Sequence, residues 1–340
     1  MKLHGTIGIK VDGEPVLRTP GFWDKAKAIF GGTPDLRTGR IRAALEAATL
    51  VEASRQALAR LGVTNAISLV IDKHVIFEDR DGRPDDLGDL MFAFRDNAVV
   101  FGANFELLRL VVEHEEAGLH TVIEVMARSE HPANETAARV VMGGRVSEFE
   151  PRAGESAEAY RQRIEPLMRT PAVFEAHRVQ FESFVGRVAD TLRGVLPDAE
   201  VEINEANANV EKPTEAPRPA ISPTDRRYDP YDVYYPSPFP GLFTAMMWGS
   251  ILSWGMMPHY TVINHVGDPV GAIDDMSHDD LAAVADGEDV GSDFDGGGDL
   301  GGGDYGDGDY SGGDFGDGGF DGGDMGGGFD LGGGFDFGDW

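Results

Sequence analysis

The stretch that decides the fold is LLRLVVEHEEAGLHTVIEVMARSEHPANETAARVVMGGRV, residues 107–146. Leu107–Val112 and Leu119–Met126 read as two strands joined around Ala117 and Gly118. Ala138–Val146 supplies a third, with Gly143–Gly144 expected as a bulge. Connections this short leave no room for the crossover that parallel strands need. The expected architecture is an antiparallel β-meander with packed helices, an α+β fold.

Working outward, Thr6–Val11 alternates like a strand and ends at the turn pair Asp12-Gly13. Arg37–Leu61 reads as a helix, with Ile41, Leu45, Ala48, Val51 and Leu58 at apolar positions and Gly62 as its stop. Ala66–Ile71 and His74–Glu78 are strand-like, and Leu87–Phe94 is a candidate short helix. After the meander, Ser156 is placed to cap a helix to Met168. Pro171 then opens a longer helix striped by Val173, His177, Phe181, Phe184, Val188, Leu192 and Val195. Glu200–Ile203 is expected as an edge strand. One globular domain over residues 1–205 follows.

Residues 206–240 are rich in proline and tyrosine and read as an extended linker. Residues 241–272 hold an apolar helix and a short strand, Thr261–Val266. Within them, Gly241–Met257 is an uncharged run that includes Trp248 and Trp254. Three readings compete for it: a core or partner-docking helix, an interfacial or self-association segment, and a membrane span. A span needs about twenty apolar residues, and this run is shorter and has its tryptophans mid-segment rather than at the ends.

Residues 273–340 form an acidic, glycine-rich tail. Hydrophobic side chains recur there every fifth position, at Leu300, Tyr305, Tyr310, Phe315, Phe320, Met325, Phe335 and Trp340, with one gap at Asp330. That period is neither helical nor strand-like, and glycine loses the most backbone entropy on ordering. The expectation is a chain that is disordered when alone. Gly313-Asp314-Phe315 and Gly323-Asp324-Met325 resemble the centre of the pentapeptide-repeat family, which stacks such units into a four-sided β-helix. Glycine stands where that family carries a small apolar side chain, and the repeats suffice for about two coils, whereas solenoids need several to bury a core. The glycine-rich run ending in Trp340 is also similar to the tails of bacterial membrane-linked proteins carrying TPM domains, with aspartate where those favour serine.

Charge divides the chain. The formal net charge is −30, yet all 29 Lys and Arg lie at or before Arg227; the 23 acids after it leave −7 for the first 227 residues. Such a polyanion excludes direct nucleic-acid binding by the tail and draws in basic surfaces. Cysteine is absent, which removes disulfides and thiolate sites and fits a cytoplasmic location. The start, Met1-Lys2-Leu3-His4-Gly5, has no apolar run of the signal-peptide kind.

Two constellations invite a metal: His114 with His120, around Glu115 and Glu116, and Asp79 with Asp81 ahead of Asp85, Asp86 and Asp89. The histidine spacing of six is not that of a zinc helix, and Gly82 and Pro84 stand off the calcium-loop positions. Their alternative readings are a polar strand edge and a solvated turn. Nucleophile elbows, phosphate loops and dinucleotide fingerprints are missing, so no cofactor is expected. The reading is a non-enzymatic adaptor whose tail makes repeated contacts with basic or apolar partner proteins, or with further copies. The alternatives are a membrane-attached protein anchored by 241–257 and a metal-dependent enzyme in the front domain.

Overall fold

Both faces of the central strands are buried. A computed structural model describes residues 1–11, 39–79, 82, 88–90, 93, 105–129, 131, 135–213, 221–254 and 259–286. The strands are β1 (Lys2–Val11), β2 (Asn65–Ile71), β3 (His74–Glu78), β4 (Leu107–Glu116), β5 (Leu119–Arg128), β6 (Thr136–Val146), β7 (Ala199–Glu211), β8 (Tyr260–Ile263) and β9 (Pro269–Ala272). They form one sheet in the order β3-β2-β4-β5-β6-β1-β7-β8-β9. Every residue from Thr121 to Ala127 in β5, and from Leu3 to Ile9 in β1, is buried. Because side chains alternate between faces, burial on both sides requires a cover on each.

The first cover is apolar. Helices α1 (Gly39–Arg60) and α3 (Pro171–Val195) lie against the sheet and each other, while the short α2 (Ala157–Ile164) adds Tyr160 and Ile164 to the same core. α1 brings Ala44, Ala47, Ala48, Leu50 and Val51 into the core; α3 brings Phe174, Phe181, Phe184, Val188 and Leu192. Leu110, Ile123, Val125, Val140 and Met142 face them from the sheet. The expected stop at Gly62 holds, at φ +83°, and Ser156 caps the start of α2 by accepting from the Ala159 N–H at 3.2 Å; that helix ends at Ile164, short of the expected Met168, which lies in a following 3-10 turn.

The meander of β4, β5 and β6 is as expected, with longer strands. Its first turn, Ala117-Gly118, has positive φ at both residues (48° and 78°), the geometry that two-residue hairpins favour. Gly143–Gly144 differs from expectation. The β5–β6 and β6–β1 registers run through both residues without a shift, so there is no bulge there. The glycines instead admit close neighbours. A Cβ on Gly144 would meet the Phe181 ring at 3.0 Å, and one on Gly143 would meet Asp229 Oδ1 at 2.0 Å.

The sheet also continues beyond residue 205. Glu200–Ile203, expected as an edge strand, pairs with β1 alone, but β7 is longer than expected and its end, Ala208–Glu211, pairs on the other side with β8, in parallel. A parallel pair needs a crossover, and residues 212–259 supply it. The described part of the run read as a linker therefore includes the end of β7 and the helix α4 (Pro230–Tyr234). The apolar run forms α5 (Pro240–Trp254), whose Met247, Trp248 and Ile251 are buried in the main core. Fifteen residues rise about 22 Å, short of a hydrocarbon layer of roughly 30 Å. No helix among the described residues is long and apolar enough to cross a membrane, and residues 255–257 of the run lie outside the described residues. The described chain ends with α6 (His278–Ala285), capped by Ser277 and Asp280 in a capping box. The tail residues Leu300, Tyr305, Tyr310, Phe315, Phe320, Met325, Phe335 and Trp340 lie outside the described residues, as do Asp12, Gly13 and the repeat-like units.

Candidate functional site

The second cover of the sheet is a strap, residues 221–235, held largely by ionic and tyrosine contacts. Its local form follows from sequence. Asp229 accepts the Tyr231 N–H at 3.0 Å as the cap of α4, and Pro230 occupies the first turn, where its missing donor costs nothing. That single turn aims Tyr228, Tyr231, Tyr234 and Tyr235 at the sheet. Tyr231 packs on Val111 and Val122, and Tyr228 packs on Met126 and Val141. These four aliphatic residues alternate with those that face the helices, so they mark the opposite side.

Three polar anchors tie the strap down. Tyr228 donates to Glu124 Oε2 at 2.6 Å, and Arg109 Nη1 lies 3.4 Å from Glu124 Oε1. Burial pushes the Glu124 carboxyl up; Arg109 and Tyr228 pull it back, and the net direction is upward. In the second anchor, Arg145 Nη2 donates to Asp229 Oδ2 at 2.7 Å and Asp232 Oδ1 at 2.8 Å, with its guanidinium 4.8 Å over the Tyr231 ring. Burial alone would lower the Arg145 pKa, but Asp229 and Asp232 reverse this and raise it. Lys2 Nζ extends the network to Asp232 at 2.8 Å and Glu211 at 2.9 Å. In the third, His120 has Nε2 3.0 Å from Glu113 Oε2 and Nδ1 2.9 Å from the Tyr231 hydroxyl, while Tyr235 donates to Glu113. Burial opposes the Glu113 charge, yet His120, Tyr235 and Asn65 outweigh it and hold the carboxyl below its usual range.

Gly143 makes this cover possible. A side chain there would occupy the space taken by the Asp229 carboxylate and the Tyr231 Cβ, at 2.0 and 2.9 Å.

Two clefts open where the strap meets the rest of the fold. One, of about 400 Å³, lies between the strap, β1, β7 and the β8–β9 turn. The other, of about 940 Å³, lies between the end of the strap, α5, α2 and the end of β7. Phe149, Tyr160, Phe243 and Met247 form the apolar wall of the larger cleft, and Arg145, Glu150, Glu211 and Asp232 are among its charged residues. Burial raises the Glu150 carboxyl against the opposing pull of Arg145 and His120.

The histidine pair does not assemble, and of the aspartate constellation only Asp79 and Asp89 are among the described residues. His114 pairs with Thr121 across the hairpin and His120 with Glu115, so the two histidines project from opposite faces. His114 stacks on Phe184 of α3 at 5.5 Å, and burial lowers its pKa. No group of three or more metal-binding side chains occurs among the described residues. Both Asp79 oxygens accept from the Gly82 N–H, at 2.9 and 3.0 Å, which is a local turn. Asp81 lies outside the described residues. Trp248 is buried and donates from Nε1 to Glu211 O at 2.8 Å; Trp254 lies 5.3 Å from the Phe174 ring. Trp248 therefore locks α5 to β7 rather than facing a partner.

Sequence reasoning missed the strap. Its signal was present in Asp229-Pro230 followed by tyrosines at helical spacing, a cap and first-turn proline inside a run judged by its proline content. The acids and bases that meet it come from β1, β4, β5 and β6, and no local pattern joins them.

Comparison with known protein families, with curated proteins and with solved structures finds no match to this chain.

Proposed function

We propose that the protein is a non-enzymatic adaptor. The α+β body carries an acidic chain end whose evenly spaced aromatics make repeated weak contacts with proteins presenting basic or apolar surfaces, or with further copies. Partition of charge carries this reading: no Lys or Arg follows Arg227, and 23 acids do. The recurrence of Tyr305, Tyr310, Phe315 and Phe320 at a spacing of five supports it, because several weak contacts carried on one chain gain through effective concentration. The strap chemistry is consistent with a body built to hold its shape, since Arg145, Asp229, Asp232, Glu124 and Tyr228 engage one another.

The test is a pull-down with the full chain and with a chain ending at residue 292. The full chain captures basic proteins, capture weakens as salt screens the charge, and the shortened chain stays folded and captures none. Equal capture by both chains contradicts the proposal.

A further inference from the structure

We propose that β3 is a dimerisation edge whose partner is the β3 of a second copy of this chain, laid antiparallel to it. The surface lies on the body, so the proposal goes beyond the adaptor reading, which rests on the acidic chain end.

The two edges of the sheet differ. β9 closes one of them with four residues, of which the first is Pro269, and the 3-10 turn Ile273–Asp275 follows at once. Shortness and proline both blunt an edge against pairing. β3 closes the other edge as His74-Val75-Ile76-Phe77-Glu78, and among the described residues it pairs with β2 alone. It holds no proline, and its three central residues are β-branched or aromatic, types that favour strands. Val75 is 59% exposed, more than any other large hydrophobic among the described residues.

Backbone geometry says which groups face outward. Ile71 and His74 close the two-residue turn Asp72-Lys73. A closing pair of this kind is hydrogen-bonded, and pairs alternate along an antiparallel ladder, so Val75 turns its N–H and C=O away from β2. Ile76 is the extra residue where the β2–β3 register shifts, and it packs on the core with Phe77. Beyond that bulge the Asp79 N–H bonds to Ile67 O at 2.8 Å, so by the same alternation Glu78 faces outward. Around a two-fold axis, Val75 of each copy then meets Glu78 of the other, and each pair exchanges N–H and C=O groups. Such a contact is self-complementary and closes at two copies.

Charge selects the occupant. The strand starts with Lys73 and His74 and ends with Glu78 and Asp79. Asp72, beside the basic start, is turned back to accept from the Glu106 and Leu107 N–H groups at 2.9 Å. An antiparallel copy sets the basic start of each strand against the acidic end of the other, whereas a parallel copy would set like against like.

The experiment is sedimentation equilibrium on the full chain in about 0.15 M salt, where charges farther apart than about 8 Å are screened. The full chain is expected to form a reversible dimer. Val75→Pro removes an outward donor that an edge strand can lose without unfolding. It should raise the dimer Kd at least about tenfold with unchanged circular dichroism, because the two-fold deletes two hydrogen bonds at once. Glu78→Lys makes both strand ends basic, and the double change Lys73→Glu with His74→Glu makes both acidic. Each variant alone should dimerise more weakly, and a mixture of the two should recover a heterodimer. All three positions are exposed, so this reciprocal pair keeps the test decisive where Val75→Pro fails to fold. A monomer at every concentration, a dimer indifferent to Val75→Pro, or a mixture no tighter than its components each overturns the proposal. A monomeric full chain that still captures basic proteins would overturn it while leaving the adaptor reading intact.

Discussion

The two faces of one sheet are covered by opposite chemistries. Against α1 and α3, β6 presents Val140, Met142 and Gly144; against the strap it presents Arg139, Val141, Gly143 and Arg145. The helix face is held by apolar burial, which is non-directional and tolerates some repacking. The strap face is held by directed bonds between groups whose burial is costly unless every partner is in place. One face therefore fails gradually when altered, and the other abruptly.

The largest expected effect comes from breaking the strap face at its centre. Arg145→Met leaves Asp229 and Asp232 facing a buried apolar group, and removal of one partner from such a cluster costs about 3–5 kcal/mol. Denaturant unfolding of the full chain measures this. Combining it with Asp229→Asn and Asp232→Asn removes the orphaned charges, and a substantial part of the loss should return.

The adjoining glycines of β6 sharpen the contrast, because one faces each cover. Gly143→Ala would collide with the Asp229 carboxylate and the Tyr231 Cβ at 2.0 and 2.9 Å, so the strap must shift; the expected cost is about 1–3 kcal/mol. Gly144→Ala meets the Phe181 ring at 3.0 Å and Leu3 Cβ at 3.2 Å, where a few tenths of an ångström suffice, and should cost less. Thermal unfolding of the pair decides the order, and a larger loss at Gly144 would contradict it. Tyr228→Phe removes the donor to the buried Glu124 and should cost about 1.5–3 kcal/mol by the same assay.

The smallest effect is in pH dependence. Hydrogen bonds from His120, Tyr235 and Asn65 hold the folded Glu113 carboxyl below the ordinary glutamate value. A depressed carboxylate stabilises the fold above its unfolded pKa, and that contribution is lost as pH falls through the folded value. Glu113→Gln should therefore flatten the decline of stability on the acid side of pH 4.5 and leave its slope at neutral pH unchanged, as followed by denaturant midpoints across pH.

The same division explains what could be read from sequence. α1 and α3 were legible because Leu45, Ala48 and Val51, or Phe181, Phe184 and Val188, repeat at helical spacing, and Gly62 and Pro171 mark a stop and a start. The β4–β6 meander was legible from its runs and from Ala117-Gly118. The strap was not. Tyr228 needs Glu124, Asp229 needs Arg145, and Tyr231 needs His120, partners about 85 to 110 residues away, and partner choice over such distances leaves no periodicity. The parallel β7–β8 pair was hidden for the same reason, and the glycine pair was assigned to a bulge because its true cause, two neighbours approaching from opposite faces, is tertiary.

Amide hydrogen exchange across the strap tests the central claim most directly. The Tyr231 N–H is bonded to Asp229 Oδ1 and the Tyr235 N–H to Tyr231 O at 2.8 Å. With the strap locked on a fully covered sheet, both amides should exchange orders of magnitude more slowly than free peptide and lose protection in Arg145→Met. Exchange of Tyr231 and Tyr235 at free-peptide rates, while β4, β5 and β6 remain protected, would contradict the account.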